Sequence, residues 1–280
     1  MTCSNDPSKH PAGRHDGDAV VLKGVREIGR YRTLELGFPS RLVPQQLFGK
    51  YVLARCAADA RDAYRSNWDI YLRRPLFIIA AAPIPGDGEV SALRLFVPSV
   101  ADPGCEWLMA LTPGQSVNLL GPFGRDTVLN AHAKRLLLLS TGADAPLLIP
   151  IAEWMLDQAG KVAFIVRGPS ADRSLLSLLP IDVELNIAES EEQFQSLLGN
   201  SIRWSDALIA CESAISPLSL IDEVHRHRLV AEYDYAQILV RADLLCGVGA
   251  CMACVVQRND GSLTRACVHG PVFPLRDLVR

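Results

Sequence analysis

The stretch Cys246-Gly247-Val248-Gly249-Ala250-Cys251-Met252-Ala253-Cys254, completed by Cys267, decides how the rest of the chain is read. Its cysteines follow C-x4-C-x2-C-x12-C, the ligand spacing of a [2Fe-2S] cluster. Four thiolates must converge on one cluster, and three can come from a short loop only if the backbone wraps tightly. Gly247 and Gly249 permit that wrapping, because a residue without Cβ reaches positive φ cheaply and lets N–H groups approach the sulfurs. A turn at Asn259, Asp260 and Gly261 then brings the fourth thiolate in from a separate strand. A structural zinc is the competing reading, but zinc sites usually show two separated C-x2-C pairs, whereas here three ligands crowd together and the fourth stands alone. A disulfide framework is disfavoured by the length of the chain and by the lack of an apolar signal segment. The remaining cysteines, Cys3, Cys56, Cys105 and Cys211, are scattered.

Working outward from that loop, 280 residues suit two compact domains plus an appendage. With 49% hydrophobic residues, 21% charged residues and a formal net charge of -3, there is no global basic field to hold nucleic acid or an anionic membrane. The longest apolar runs, Leu136 to Leu139 and Leu147 to Ala152, are far too short to span a bilayer, and the chain is expected to be cytoplasmic.

Residues 1–18 are polar and aperiodic and are expected to form a disordered leader. From residue 19 to about 130, short apolar or alternating stretches (Ala19 to Leu22, Thr33 to Leu36, Tyr51 to Leu53, Leu76 to Ala80, Leu93 to Val97, Ser116 to Leu120) are punctuated by Pro and Gly, which predicts an antiparallel β-barrel. Over 131–240 the rhythm changes to strand, helix, strand, helix, beginning with the buried strand Leu136 to Leu139 and the helix Ala145 to Gln158, and ending on the strand Gln237 to Val240. That alternation implies a parallel sheet covered on both faces. Residues 241–280 are the small cluster module. The expected fold class is therefore α+β and multidomain. His225 and His227 stand at i, i+2 on a predicted helix, do not share a face, and are read as surface residues.

The order barrel, α/β domain, cluster loop resembles the electron transfer subunits of NAD-dependent dihydroorotate dehydrogenase, within the ferredoxin reductase superfamily. That family carries C-G-x-G-x-C-x-x-C and C-x-D-G-P-V-F; here the second reads Cys267-Val268-His269-Gly270-Pro271-Val272-Phe273, with His269 in place of Asp. The resemblance implies Cys246, Cys251, Cys254 and Cys267 as cluster ligands. It implies an FAD-binding barrel, in which an R-P-x-S/T motif meets the flavin: its Arg pairs with a phosphate and its hydroxyl contacts the ring. This chain has Arg74-Pro75-Leu76-Phe77, which keeps the guanidinium fork but replaces the hydroxyl by an aromatic ring. Gly104-Cys105-Glu106-Trp107-Leu108 resembles the family's G-T-x-x-L loop with Thr changed to Cys, so Gly104 and Cys105 join the flavin candidates. Gly49-Lys50-Tyr51-Val52 and Gly121-Pro122-Phe123-Gly124 resemble a G-Q-F-V strand and a barrel-closing G-P-L-G turn.

The family's nicotinamide turn, G-G-G-x-G-x-A-P-L, has become Ser140-Thr141-Gly142-Ala143-Asp144-Ala145-Pro146-Leu147, and its later C-G-P has become Cys211-Glu212-Ser213. Most glycines are lost, and both sides of the expected cleft carry an acid. Asp144 would repel a pyrophosphate at a helix start, so NAD(H) binding is expected to be weakened or lost; in the plainer reading Asp144 caps the helix and Glu212 faces solvent. As a whole, the resemblance implies hydride passing from NADH to FAD, then single electrons through the cluster to an FMN-containing catalytic subunit of pyrimidine biosynthesis. The oxidoreductase's substrate chemistry would lie on that partner, in a hetero-oligomer, with Val248 and Met252 as candidate contacts. A divergent iron-sulfur relay that has lost NAD(H) binding, with or without FAD, and serves another redox complex is the alternative.

Overall fold

The computed structural model describes residues 15–57, 72–130, 132–168 and 173–278. Among these, six strands close an antiparallel barrel: β1 (His15–Ile28), β2 (Tyr31–Pro39), β3 (Tyr51–Ala54), β4 (Arg74–Ile84), β5 (Asp87–Val97) and β6 (Ser116–Phe123), in the spatial order β1-β2-β5-β4-β3-β6. Each contains one of the short apolar stretches. β6 shows why they are strands: residues alternate between exposed or half-buried and buried along its length, so one face fills the barrel and the other meets solvent. β1 starts earlier than expected. His15 to Asp18 lie in it and pair with Gly121 to Asn118, so the expected disordered leader is strand over these four residues, and its residues 1–14 lie outside the described residues. The barrel core is Leu34, Leu36, Leu76, Leu93, Leu95 and neighbours, all fully buried. A short helix, α1 (Pro103–Met109), leads into β6.

The second layer is built on β7 (Arg135–Thr141), whose four consecutive leucines are buried on both faces, as expected of a central parallel strand. β8 (Lys161–Arg167), β9 (Val183–Ala188), β10 (Ala207–Cys211) and β11 (Ala236–Leu239) run parallel with it. The helix expected over Ala145 to Gln158 begins as a 3-10 turn, Ala145–Leu148, and continues as α2 (Ile149–Asp157). α3 (Glu191–Trp204) and α4 (Pro217–His227) start on Ser190 and Ser216, whose hydroxyls accept the N–H groups of Gln193 and Ser219. Acids in the first turn of α3 and basic residues in the last turn of α4 complement the helix dipole.

One feature was not legible in the alternation. After the hairpin β12 (Val255–Gln257) and β13 (Leu263–Arg265) and the one-turn helix α5 (Ala266–His269), the strand β14 (Val272–Pro274) adds antiparallel to β11, giving the sheet order β14-β11-β10-β7-β8-β9. A last helical turn, α6 (Leu275–Leu278), follows. The C-terminal segment is thus sewn into the sheet, and its Cys254, Cys267 and Phe273 share one apolar core with Tyr51 and Phe123 of the barrel and with α3 and α4. No helix among the described residues is long and apolar enough to cross a membrane.

His227 departs from its expected place on the surface. It is half-buried between α3 and α4, where its ring stands 2.9 Å from Arg203 and 3.4 Å from the buried Glu223. Gly199 leaves room for it: a Cβ there would come within 2.7 Å of the imidazole.

Candidate functional site

The cluster loop departs from β11 and wraps as the glycines allow, with Gly247 at φ +67° and Gly249 at φ +77°. The first pair of thiols is Cys246 and Cys251. Burial raises the Cys246 thiol, but the backbone N–H of Cys251, then that of Val248, a hydrogen bond from the Cys251 side chain and the N–H of Ala250 together outweigh it and bring the group down to about 6. The second pair is Cys254 and Cys267, where the Cys267 N–H donates to the Cys254 sulfur at 3.4 Å. The Cys267 thiol is pushed up to about 12, chiefly by burial and then by its bond with Cys254 and the nearby Cys254 and Cys246 sulfurs, while the Gly249 N–H acts in the opposite sense. Cys267 sits on the one-turn helix α5 and not on the strand that was expected to carry it.

Among the described residues no three His, Cys, Asp or Glu side chains are set to hold a single metal ion. Hydrogen bonds join the four thiols as two pairs, Cys246 with Cys251 and Cys254 with Cys267, and the Cys246 sulfur is near enough to Cys267 to raise its pKa. Four soft thiol donors, three of them on one short loop, suit the thiolate ligation of an iron-sulfur cluster. The N–H groups directed at Cys246 and Cys267 are the hydrogen bonds a charged cluster needs. His269, at the position where the family motif has Asp, bonds Thr264 through Nδ1 at 2.9 Å; burial and then Arg125, Arg265 and Arg258 lower its pKa. Val248 and Met252 are about half exposed on the outer side of the loop, at 51% and 53%.

A cleft of about 940 Å³ opens where the barrel, the sheet and the cluster module meet. Arg74, Pro75 and Phe77 of β4, Phe96 of β5 and Cys105 of α1 form the barrel side, the run Leu239 to Leu245 after β11 the opposite side, and Ala253, Val255 and Val256 the wall nearest the cysteines. Phe77 and Phe96 are cross-strand partners on β4 and β5, which sets two aromatic side chains side by side at the cleft. Leu76 points the other way, fully buried in the barrel core, as alternation along a strand requires.

Arg74 does not stand ready for a phosphate. Its Nε and Nη2 donate to the two oxygens of Asp102 at 2.8 and 2.7 Å. The same carboxylate caps α1 by accepting the Cys105 N–H at 2.8 Å. The Arg74 hydrogen bond lowers the Asp102 carboxyl to about 2, against desolvation and with help from the Cys105 N–H. Gly104 is explained by this pair, since a Cβ there would lie 2.8 Å from Arg74 Nε. Cys105 is buried at the cleft edge, its thiol raised to about 11 by burial and then by the Asp102 charge. Residues 58–71, which precede β4, lie outside the described residues; Leu72, Arg73 and Arg74 belong to the cleft wall.

At the carboxyl ends of the parallel strands, where open α/β sheets bind nucleotides, the chain has filled the crest with its own side chains. Asp144 is buried but makes no helix-capping bond. Instead Oδ1 accepts from Arg241 Nη1 and Oδ2 from the Ser213 hydroxyl, each at 2.5 Å. Glu212 does not simply face solvent: it accepts the Arg241 N–H at 2.9 Å. The Tyr31 hydroxyl reaches across from the barrel to the Gly142 carbonyl at 2.8 Å. Both acids read from the sequence therefore have partners in the stretch leading to the cluster loop. Asp102, Arg241 and Phe96 were not singled out beforehand. Asp102-Pro103-Gly104 carries a helix-start signature that could have flagged the first, but nothing local marks Arg241.

The fold and the two cysteine pairs define a ferredoxin reductase-type chain with an iron-sulfur module appended. The solved structure of an NADH-dependent reduced ferredoxin-NADP oxidoreductase superposes with a TM-score of 0.67 at 16% identity, covering 96% of this chain and 91% of that one. A cytochrome P450 reductase from Amycolatopsis gives 0.56 at 18% identity over 83% and 72% of the two chains. Residues 242–279 match the iron-sulfur cluster binding domain of dihydroorotate dehydrogenase B. Among curated proteins, the electron transfer subunit of dihydroorotate dehydrogenase B from Desulforamulus reducens is 28% identical over 239 residues, 81% of this chain and 84% of its own. That from Streptococcus mutans is 24% identical over 273 residues, 93% and 97% of the two chains. Over most of its length the chain is thus similar to dihydroorotate dehydrogenase B electron transfer subunits, and over residues 242–279 to the iron-sulfur domain of that enzyme.

Proposed function

We propose that this chain is the electron transfer subunit of a dihydroorotate dehydrogenase-type complex, with a [2Fe-2S] cluster on Cys246, Cys251, Cys254 and Cys267 and FAD in the cleft. The observation that carries the reading is the shared wall: Ala253, Val255 and Val256 line the cleft while belonging to the same short segment as the ligand Cys254. A flavin against Phe77 and Phe96 is thereby kept next to the cluster. Flavin supplies the conversion between two-electron and one-electron chemistry. The protein's share is to orient and insulate: Phe77 and Phe96 supply apolar aromatic contact, Cys105 lines the edge, and the N–H groups around Cys246 hold negative charge on sulfur. Among the described residues there is one barrel of this kind, so the chemistry on dihydroorotate is assigned to a cytoplasmic catalytic partner. The half-exposed Val248 and Met252 beside Cys251 are a contact surface for it.

The test is anaerobic purification, iron, sulfide and flavin analysis, and electron paramagnetic resonance after dithionite. Two irons, two sulfides and one FAD per chain with a reduced-cluster signal are expected. Absence of that signal after reconstitution with iron and sulfide ends the cluster reading.

A second reading concerns the donor and is favoured by the closed crest of the sheet. With both oxygens of Asp144 bonded and Glu212 tied to the Arg241 backbone, NAD(H) is not the reductant of this chain, and the α/β layer serves as architecture. NADH should leave the flavin oxidised while dithionite bleaches it. Rapid bleaching by NADH would refute this reading and leave the first intact.

A further inference from the structure

The arginines of the cleft wall are all engaged by the chain itself. Arg73 donates to the carbonyls of Leu53 and Asn118 at 3.0 and 3.2 Å, and Arg241 to Asp144. Arg74 offers the planar fork that suits a phosphate, yet it is bound bidentately by Asp102, and its Nη1 donates to the Leu72 carbonyl at 2.5 Å. Asp102 also belongs to the cleft wall, with Glu212 and Asp243 as further acids, so the three arginines there stand beside three carboxylates. Among the described residues, the wall is balanced in charge without any contribution from a ligand. A phosphate brought to Arg74 must compete with a carboxylate for the same two N–H groups.

We propose that Asp102 is an internal competitor for Arg74: it sets the affinity of the cleft for phosphate-bearing flavins by holding the guanidinium that a flavin phosphate would take. The inference rests on the reading of the cleft as a flavin site. The pair is mostly buried, with side-chain exposures of 17% and 25%, so it is worth more than a fully solvated surface pair. Exchange of carboxylate for phosphate at such a fork is close to neutral in hydrogen bonds, and the cost is the displaced Asp102 charge. Neutralising that charge should favour flavins that carry phosphate and no others.

The experiment titrates FAD, and separately riboflavin, into the full flavin-depleted chain by fluorescence quenching. Wild type is compared with Asp102→Asn and Asp102→Ser, both of which keep a helix-capping oxygen for the Cys105 N–H. FAD affinity should rise about tenfold in both variants, equivalent to about 1.4 kcal/mol, and riboflavin affinity should not change. If one variant fails to fold by circular dichroism, the other carries the comparison. FAD affinity equal to or below that of wild type, or an equal gain for riboflavin, overturns the proposal while leaving flavin binding standing. Absence of flavin binding by wild type and variants alike overturns both.

Discussion

Gly247 ties the cluster loop to the barrel, and replacing it tests that junction. It sits at φ +67°, and a Cβ built there would lie 2.5, 2.6 and 2.8 Å from three atoms at the outer end of the Phe123 ring. The ring has little freedom to withdraw. It is 4% exposed and stacks on the fully buried Tyr51 with centroids 5.5 Å apart. For Gly247→Ala the left-handed backbone costs roughly 1–2 kcal/mol and the forced repacking another ~1–3 kcal/mol, so the sum is about 2–5 kcal/mol. That is a large fraction of the stability of an ordinary domain, about 5–15 kcal/mol. Gly249→Ala is the control: φ is also positive, at +77°, but its Cβ would meet the Val268 and Arg265 side chains, which can move. Urea unfolding followed by far-ultraviolet circular dichroism and by visible cluster absorbance should rank wild type above Gly249→Ala and Gly249→Ala above Gly247→Ala. Adding Phe123→Leu to Gly247→Ala should recover at least ~0.5 kcal/mol relative to the sum of the single changes, because the two sites are in contact. A Gly247→Ala protein within ~0.5 kcal/mol of wild type, with full cluster content, would show that the loop does not bear on Phe123 and would refute the reasoning.

The cysteine pairs predict unequal consequences. Cys254→Ser, which removes a buried ligand inside the shared core, should abolish cluster absorbance and lower the melting temperature, whereas Cys251→Ser at the exposed end should lose the cluster with a smaller change in the melting temperature of the cluster-free chain; equal melting losses would argue against the pairing of burial with stability. Asp102 makes a pH prediction. Its folded value of about 2 lies below the ordinary 3.8, so its contribution is fully present above about pH 4 and lost as pH falls toward 2; the melting-temperature gap between wild type and Asp102→Asn should shrink across that window, and a gap constant down to pH 2 would contradict the pair. Lys50→Met should cost about 1–3 kcal/mol, because the ammonium group is buried and bonds the Gly124 carbonyl and Asp126, each at 2.7 Å; thermal unfolding unchanged from wild type would show that this closure contributes nothing.

Much of the site was legible because its determinants are local. The spacing of Cys246, Cys251 and Cys254 and the two glycines between them encode a wrapped loop, since thiol reach and positive φ depend on neighbours in the chain. The leucine run of β7 encodes a strand covered on both faces for the same reason. Reading Asp144 as a cap, or as a bare charge facing a pyrophosphate, failed because neither view contained Arg241, 97 residues away. Arg74 was read as a phosphate fork for want of Asp102, 28 residues on.

The sequence by itself determined the kinds of element, the spacing of the thiols and the backbone positions that favour glycine, all of which follow from periodicity and dihedral preference over a few residues. Only the tertiary structure decided the barrel order, the docking of β14 onto β11 and the partner of each charged group. Ion pairs and strand neighbours are set by distance in space, and chain closure brings together residues whose separation along the sequence carries no trace of the contact.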